Sequence, residues 1–297
     1  MSVREGKYGL FLNLLECALE GRTPVIPAGT GAAEWEFVYD TARRHAVQGL
    51  IYDALEKLTE GNIPPELAAR WALEVVRLEK EYGKIRALAG RQAALWKEHR
   101  IGATMLKGLE SAKYYSCPEH RVMGDIDWWF HTPDDWDAAL ELVVGAGIKP
   151  EYDSDGDFHY LSEGTVTEHH RKGYETAAPC RELLLLNKHI LHHAMVMGVG
   201  MRHICDYKAA LRYFEGRYDP DEYAAILEEQ GLTAWTEVLD TLPDRFLELV
   251  LEDGNLGLDK KNRFSGFFRR ALFFSRICPS LFVRRWWSLL LGRLKRK

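Results

Sequence analysis

Apolar residues recur every three to four positions through most of the first hundred residues. WEFVYDTARRHAVQGLIYDALEKL (35–58) has helical spacing, and MSVREGKYGLFLNLLECALEGR (1–22) has an apolar run broken by Asn13, Glu16 and Glu20, as in an amphipathic helix. Pro64-Pro65 marks a helix start. The segment after it carries Leu67, Trp71, Val75, Leu78 and Tyr82 along one stripe, which predicts a single long helix ending before Gly102.

The period then changes. ATML (103–106) is a short apolar run read as a strand, 109–115 as a short helix, and DIDWWF (125–130) alternates polar and apolar like a strand. Thr132-Pro133-Asp134-Asp135 combines an N-cap, a first-turn proline and early acids, so a helix is expected from there to near Gly145 to Gly147. FHYLSE and TVTEHHR predict two more strands joined at Glu163-Gly164. After Pro179 the helical period returns in RELLLLNKHILHHAMVM, MRHICDYKAALRYFEG and two or three later segments. The expected fold is α+β and predominantly helical. A helical region at 1–100 and another at 179–297 flank a small α/β core with a short mixed sheet at 101–178.

Composition narrows the class. The chain has 297 residues, 46% hydrophobic and 28% charged, with a net charge of −5, the balance of a soluble globular protein. Five scattered cysteines without a CxxC pair argue against a disulfide scaffold or structural zinc, and fit a reducing, cytoplasmic setting. The N-terminus lacks a secretory layout, and no stretch of 18 uncharged apolar residues occurs, so no membrane span is expected. Charge is uneven: residues 260–297 hold 12 Lys and Arg and no acid, interleaved with Phe, Trp and Leu, and Pro279 divides them into two short helices. This tail is expected to pack on the acidic body. Its other reading is a membrane-surface or nucleic-acid contact through a basic amphipathic helix.

The candidate chemistry lies in the middle segment. Asp125 and Asp127, two apart in a strand, share one face and are expected to face water, leaving Ile126, Trp128 and Phe130 for the core. Two adjacent carboxylates repel, and a divalent cation between them removes the repulsion; oxygen ligands favour Mg²⁺ or Mn²⁺. Lys107-Gly108, between a strand and a helix, suits a phosphate: glycine allows close backbone approach and Lys107 adds positive charge. Arg121 and Gly124 come just before the acids, and Glu168 in TVTEHH is a candidate third carboxylate.

LKGLESAKYYSCPEHRVMGDIDWWF (106–130) resembles the signature of an uncharacterised bacterial nucleotidyltransferase-like family within the DNA polymerase beta nucleotidyltransferase superfamily: a Lys-Gly turn, an aromatic-rich helix, an Arg, then Gly-Asp-Ile-Asp. Glu168-His169 matches the carboxylate-His that ends the family's later strand, and Arg202 to Asp206 in MRHICDY fits its Arg-x-x-x-Asp segment. The resemblance implies a nucleoside triphosphate substrate and Mg²⁺ or Mn²⁺ on Asp125, Asp127 and Glu168, with Glu168 as ligand or general base. Lys107, Gly108, Arg121, Arg202 and Asp206 fall to nucleotide binding. An unknown hydroxyl acceptor, whether a small molecule, sugar, protein or RNA end, would attack the α-phosphorus. Where the wider superfamily has Gly-Ser or Gly-Gly, this chain has Lys-Gly, and Thr167 and His169, rather than two apolar residues, flank Glu168.

Long nucleic acid is disfavoured as acceptor by the acidic body. A non-catalytic nucleotide-binding or scaffold protein of the same fold is the alternative, with or without membrane contact through its tail. His189, His192 and His193 at i, i+3 and i+4 have zinc-binding spacing without the glutamate of H-E-x-x-H, and are expected to line a packed helix. Asp153, Asp155 and Asp157 lack the glycine and glutamate positions of an EF-hand and are expected in a solvated turn.

Overall fold

A computed structural model describes residues 3–58, 63–153, 156–170, 178–253 and 274. Four helices open the chain: α1 (Gly9–Glu20), α2 (Ala32–Arg44), α3 (Gln48–Leu55) and α4 (Pro65–Glu98). The segment 35–58 is periodic throughout, yet it breaks between α2 and α3 at Ala46, whose φ is 56°. The break has a tertiary reason. The His45 carbonyl accepts from Arg202 N–H (3.3 Å) and its Nδ1 from Met201 N–H (3.4 Å), so His45 caps a helix 150 residues away.

The predicted strands form. The sheet order is β1-β2-β5-β4-β3, from β1 (Ala103–Met105), β2 (Ile126–Phe130), β3 (Glu151–Tyr152), β4 (Phe158–Ser162) and β5 (Thr165–His170). Only β2 and β5 pair in parallel, so the sheet is mixed. Strand β3, two residues long, is too short to show a period in the sequence. Glu163 and Gly164, both at positive φ, make the β4–β5 turn. Helix α5 covers only Leu109–Ala112, shorter than expected. Helix α6 (Pro133–Gly145) starts where predicted: Thr132 Oγ1 accepts from Asp135 N–H (3.1 Å), and the Asp135 carboxylate accepts from Thr132 N–H (3.1 Å). Asp153 and Asp157 bond to each other across the β3–β4 turn, as a solvated turn requires; Asp155 lies outside the described residues.

Helices α7 (Ala178–His192), α8 (Met201–Tyr213), α9 (Pro220–Glu229), α10 (Thr233–Thr241) and α11 (Asp244–Asp253) follow, with a π-helical turn at His193–Met197 after α7. Two hydrophobic clusters result. One gathers α1 to α3, Leu67, Trp71 and Val75 of α4, and the later helices. The other seats Ile126, Trp128, Phe130, Phe158 and Tyr160 of the sheet on Ile85, Leu88, Ala89 and Trp96 of α4 and on Trp136, Ala139 and Val143 of α6. Helix α4 therefore belongs to both. Of the basic segment 260–297, only Phe274 is among the described residues; it is buried 5.5 Å from Trp235. No helix among the described residues is long and apolar enough to cross a membrane.

Two polar contacts fix the segment before β2. Gly49 of α3 lies so close that a Cβ there would meet the His120 carbonyl oxygen at 2.1 Å. The His120 ring sits between Asp53 of α3 and Glu79 of α4, bonded to both. Farther along, Arg121 makes a buried bidentate pair with Asp206 of α8, both bonds 2.7 Å, and Tyr115 Oη donates to the same carboxylate (2.7 Å).

Each contact gives a prediction. The Asp53 hydrogen bond outweighs burial and raises the His120 pKa from 6.5 to about 9. The stabilisation is therefore whole below pH about 6.5 and is lost as pH rises through about 9. In urea unfolding at pH 6 against pH 9.5, His120→Gln will lose about 2 kcal/mol at the lower pH and much less at the higher. Asp206→Leu alone will cost about 3–5 kcal/mol by stranding Arg121, and adding Arg121→Met will recover most of that loss.

Candidate functional site

Strand β2 alternates strictly. Ile126, Trp128 and Phe130 are buried against α4 and α6, and Asp127 is on the opposite face. Parallel pairing sets Asp127 beside Glu168 and Trp129 beside His170. Asp125 immediately precedes the strand. The expectation of two water-facing acids needs correcting: Asp125 and Glu168 keep side-chain exposures of 38%, while Asp127 has none. Lys107, reaching across from the turn after β1, and His170 at the end of β5 cover it.

The Lys107 ammonium lies at the centre of the group. Its Nζ is 2.6 Å from Asp127 Oδ1, 3.7 Å from Asp125 Oδ2 and 3.9 Å from Glu168 Oε2. The three carboxylates predicted from the sequence thus converge on one point. Burial opposes the charge on Lys107, but Asp127, Asp125 and Glu168 outweigh it and raise its pKa. Burial likewise opposes ionisation of Asp127; Lys107 and His170 reverse it and hold Asp127 well below the usual carboxylate range. His170 donates from Nε2 to Asp127 (3.1 Å) and from Nδ1 to Asp157 (3.1 Å). Those bonds overcome burial and raise its pKa to about 9, so it is an imidazolium with no free lone pair. Burial, then the Asp127 charge, pushes Glu168 up to about 7.

Gly108 makes this arrangement possible. It has φ 75° and ψ −112°, and an added Cβ would stand 3.0 Å from the Asp125 carbonyl oxygen. The turn that carries Lys107 is therefore packed directly on the backbone of the acid segment. Next to Lys107, a cleft of about 160 Å³ opens between Thr104 to Leu106 of the β1 side and Arg181, Glu182 and Leu185 of α7.

The remaining predicted residues separate into two kinds. Arg121 and Asp206 are brought together, but with each other. Their buried pair ties the acid segment to α8, and neither presents a free polar edge to the carboxylates. Arg202, one turn earlier on α8, donates to the Val122 carbonyl (3.2 Å). Its Nε is buried without a partner, and among the described residues no carboxylate lies within 4.0 Å of it. A Cβ on Gly124 would be 3.9 Å from Arg202 Nη1, so this cation stands beside the Gly124-Asp125 step.

The donor set suits a hard divalent cation. Three carboxylates surround a cation already present, and Asp127 Oδ2 is buried with no hydrogen-bond partner. Sequence reasoning missed the part played by His170 and Asp157. The alternation of β5 places His170 on the Glu168 face and was a usable signal, whereas Asp157 reaches the site only through the β3–β4 turn. His169, on the other face, is a core residue stacked on Phe158 at 4.2 Å, and burial lowers its pKa to about 3. Arg171 and Lys172 lie outside the described residues.

No curated protein and no solved structure matches the chain significantly. A family model, described as an uncharacterised nucleotidyltransferase, matches residues 31–181, which run from the start of α2 to the first turn of α7. That span holds Lys107, Gly108, Arg121, Asp125, Asp127, Glu168 and His170, whereas Arg202 and Asp206 lie beyond it. With half its length matched, and the carboxylate cluster inside the matched half, the chain belongs to this family of uncharacterised nucleotidyltransferases.

Proposed function

We propose that the protein transfers a nucleoside monophosphate from a nucleoside triphosphate to a hydroxyl acceptor, with Mg²⁺ or Mn²⁺ held by Asp125, Asp127 and Glu168. The observation that carries this reading is the convergence of the three carboxylates on one buried ammonium, with Asp127 Oδ2 left unsatisfied. A bound dication supplies charge neutralisation at the phosphates and a lower pKa at the acceptor hydroxyl.

The chain's own groups do the rest. Arg202, a cation without a carboxylate partner among the described residues, binds the triphosphate. Gly108 lets the backbone approach it. Lys107 holds the place among the acids that a dication would take, and its ammonium would then be available to the phosphates. Glu168, whose carboxylate burial and the Asp127 charge make harder to ionise, is either the third ligand of the ion or, if it stays off the ion, the base that accepts the acceptor's proton. The acceptor oxygen bonds to the α-phosphorus as the bond to the bridging oxygen breaks, and pyrophosphate leaves. His170 and Asp157 hold Asp127 in place.

One observation favours a second reading, a nucleotide-binding protein without transfer. Lys107 and His170 already offset much of the acids' charge in the resting fold. Nucleotide binding without label transfer would select it.

Two experiments test the proposal. Incubated with α-labelled triphosphates, Mg²⁺ and cell extract, the protein will label an acceptor. Asp125→Asn plus Asp127→Asn, with the fold verified by circular dichroism, will lower labelling by at least about 10²-fold; undiminished labelling overturns the site. Lys107→Met will bind Mn²⁺ about tenfold tighter by electron paramagnetic resonance while losing transfer, because the ammonium is the ion's competitor. Unchanged Mn²⁺ affinity overturns that role for Lys107.

A further inference from the structure

Among the described residues, two groups of potential metal ligands lie outside the carboxylate cluster. One is Asp53, Cys117 and His120. Its imidazole is already engaged on both nitrogens, by Asp53 and Glu79, and has no lone pair to offer. The other is His189, His193 and His203, each with a ring nitrogen within 4.8 Å of the other two.

The sequence and fold explain how the three rings meet. His189 and His193 are four residues apart, on one face of α7 and its continuation. The helix then passes into the π-helical turn at 193–197, a local widening often found at functional sites. Gly198 (φ 99°), Val199 and Gly200 reverse the chain, and α8 runs back beside α7. His203, the third residue of α8, thereby reaches the α7 pair. Ring centroids are 4.5 Å apart for His189–His193, 4.4 Å for His193–His203 and 5.5 Å for His189–His203. His192, one residue from His193, is not part of the group.

We propose that His189, His193 and His203 form a binding site for a zinc-class transition-metal dication, distinct from the carboxylate cluster. Three imidazoles with an open fourth position are a donor set that zinc uses, and imidazole selects zinc, nickel or copper over magnesium. The two centres would thus sort their ions by ligand type. Zinc–nitrogen bonds of about 2.0–2.1 Å need the three nitrogens about 3.3 Å apart. Small ring rotations from the present separation supply that.

The surroundings are consistent with ligation. Burial keeps all three rings in the neutral form that binds a metal: His193 falls to about 4, His203 to about 3, and His189 well below its usual value. Gly198 N–H donates to the His193 carbonyl (2.8 Å), which closes the π-helical turn that carries the ring. On His203, Nδ1 accepts a long bond (3.2 Å) from Gly200 N–H. Ligation through Nε2 gives up that one bond.

The site does not depend on the transfer reading and is tested without it. The full-length chain, stripped by a chelator, is titrated with Co²⁺ and followed by visible ligand-field absorption, then with Zn²⁺ in competition with a chromophoric chelator. One equivalent is expected. His189→Asn and His193→Gln, each checked for fold by circular dichroism, should bind at least about tenfold more weakly, and Asp125→Asn plus Asp127→Asn should bind as the wild type does. Absence of stoichiometric binding by the folded wild type overturns the proposal. So does wild-type affinity in both histidine variants, or loss confined to the aspartate variant.

Discussion

A carboxylate with no contact to water must be compensated, and Asp127 sets that requirement at the middle of the sheet. Its two cationic partners come from separate places. Lys107 is delivered by the turn after β1, and His170 by the last residue of β5, itself held from behind by Asp157 of the β3–β4 turn. One buried charge therefore fixes the relative positions of three chain segments. The compensation is also incomplete, since Oδ2 has no partner.

Helix α8 is placed by a different logic. Its start receives its cap from His45, at the break between α2 and α3, and α8 is then fastened to the acid segment through Asp206, Arg121 and Tyr115. These constraints set Arg202 beside the Gly124-Asp125 step and His203 beside the α7 histidines. The family match ends at residue 181, whereas Arg202 and Asp206 of α8 and the three clustered histidines lie beyond it.

Much of this was legible in the sequence because it rests on local rules. Alternation in DIDWWF picked out the core face of β2, though not the burial of Asp127 on the other face, Thr132-Pro133 placed the start of α6, and Glu163-Gly164 placed the β4–β5 turn. What could not be read was long-range pairing. Arg121 and Arg202 are both arginines near Gly-Asp-Ile-Asp, and nothing local says that Arg121 is consumed by Asp206 while Arg202 is left without a carboxylate. Lys107 and Gly108 suggested a phosphate cradle, but only tertiary packing reveals the ammonium inside the acid triangle. His203 joins His189 and His193 through a chain reversal at two glycines, which no helical spacing encodes.

Helix α4 is seated in both hydrophobic clusters, with Trp71 in one and Trp96 in the other. At about 1.5 Å per residue its 34 residues form a rod of about 50 Å. One rod shared by both clusters ties the seating of the sheet to that of the helical body, so a change in how Trp71 is lodged is carried along a single element to Trp96.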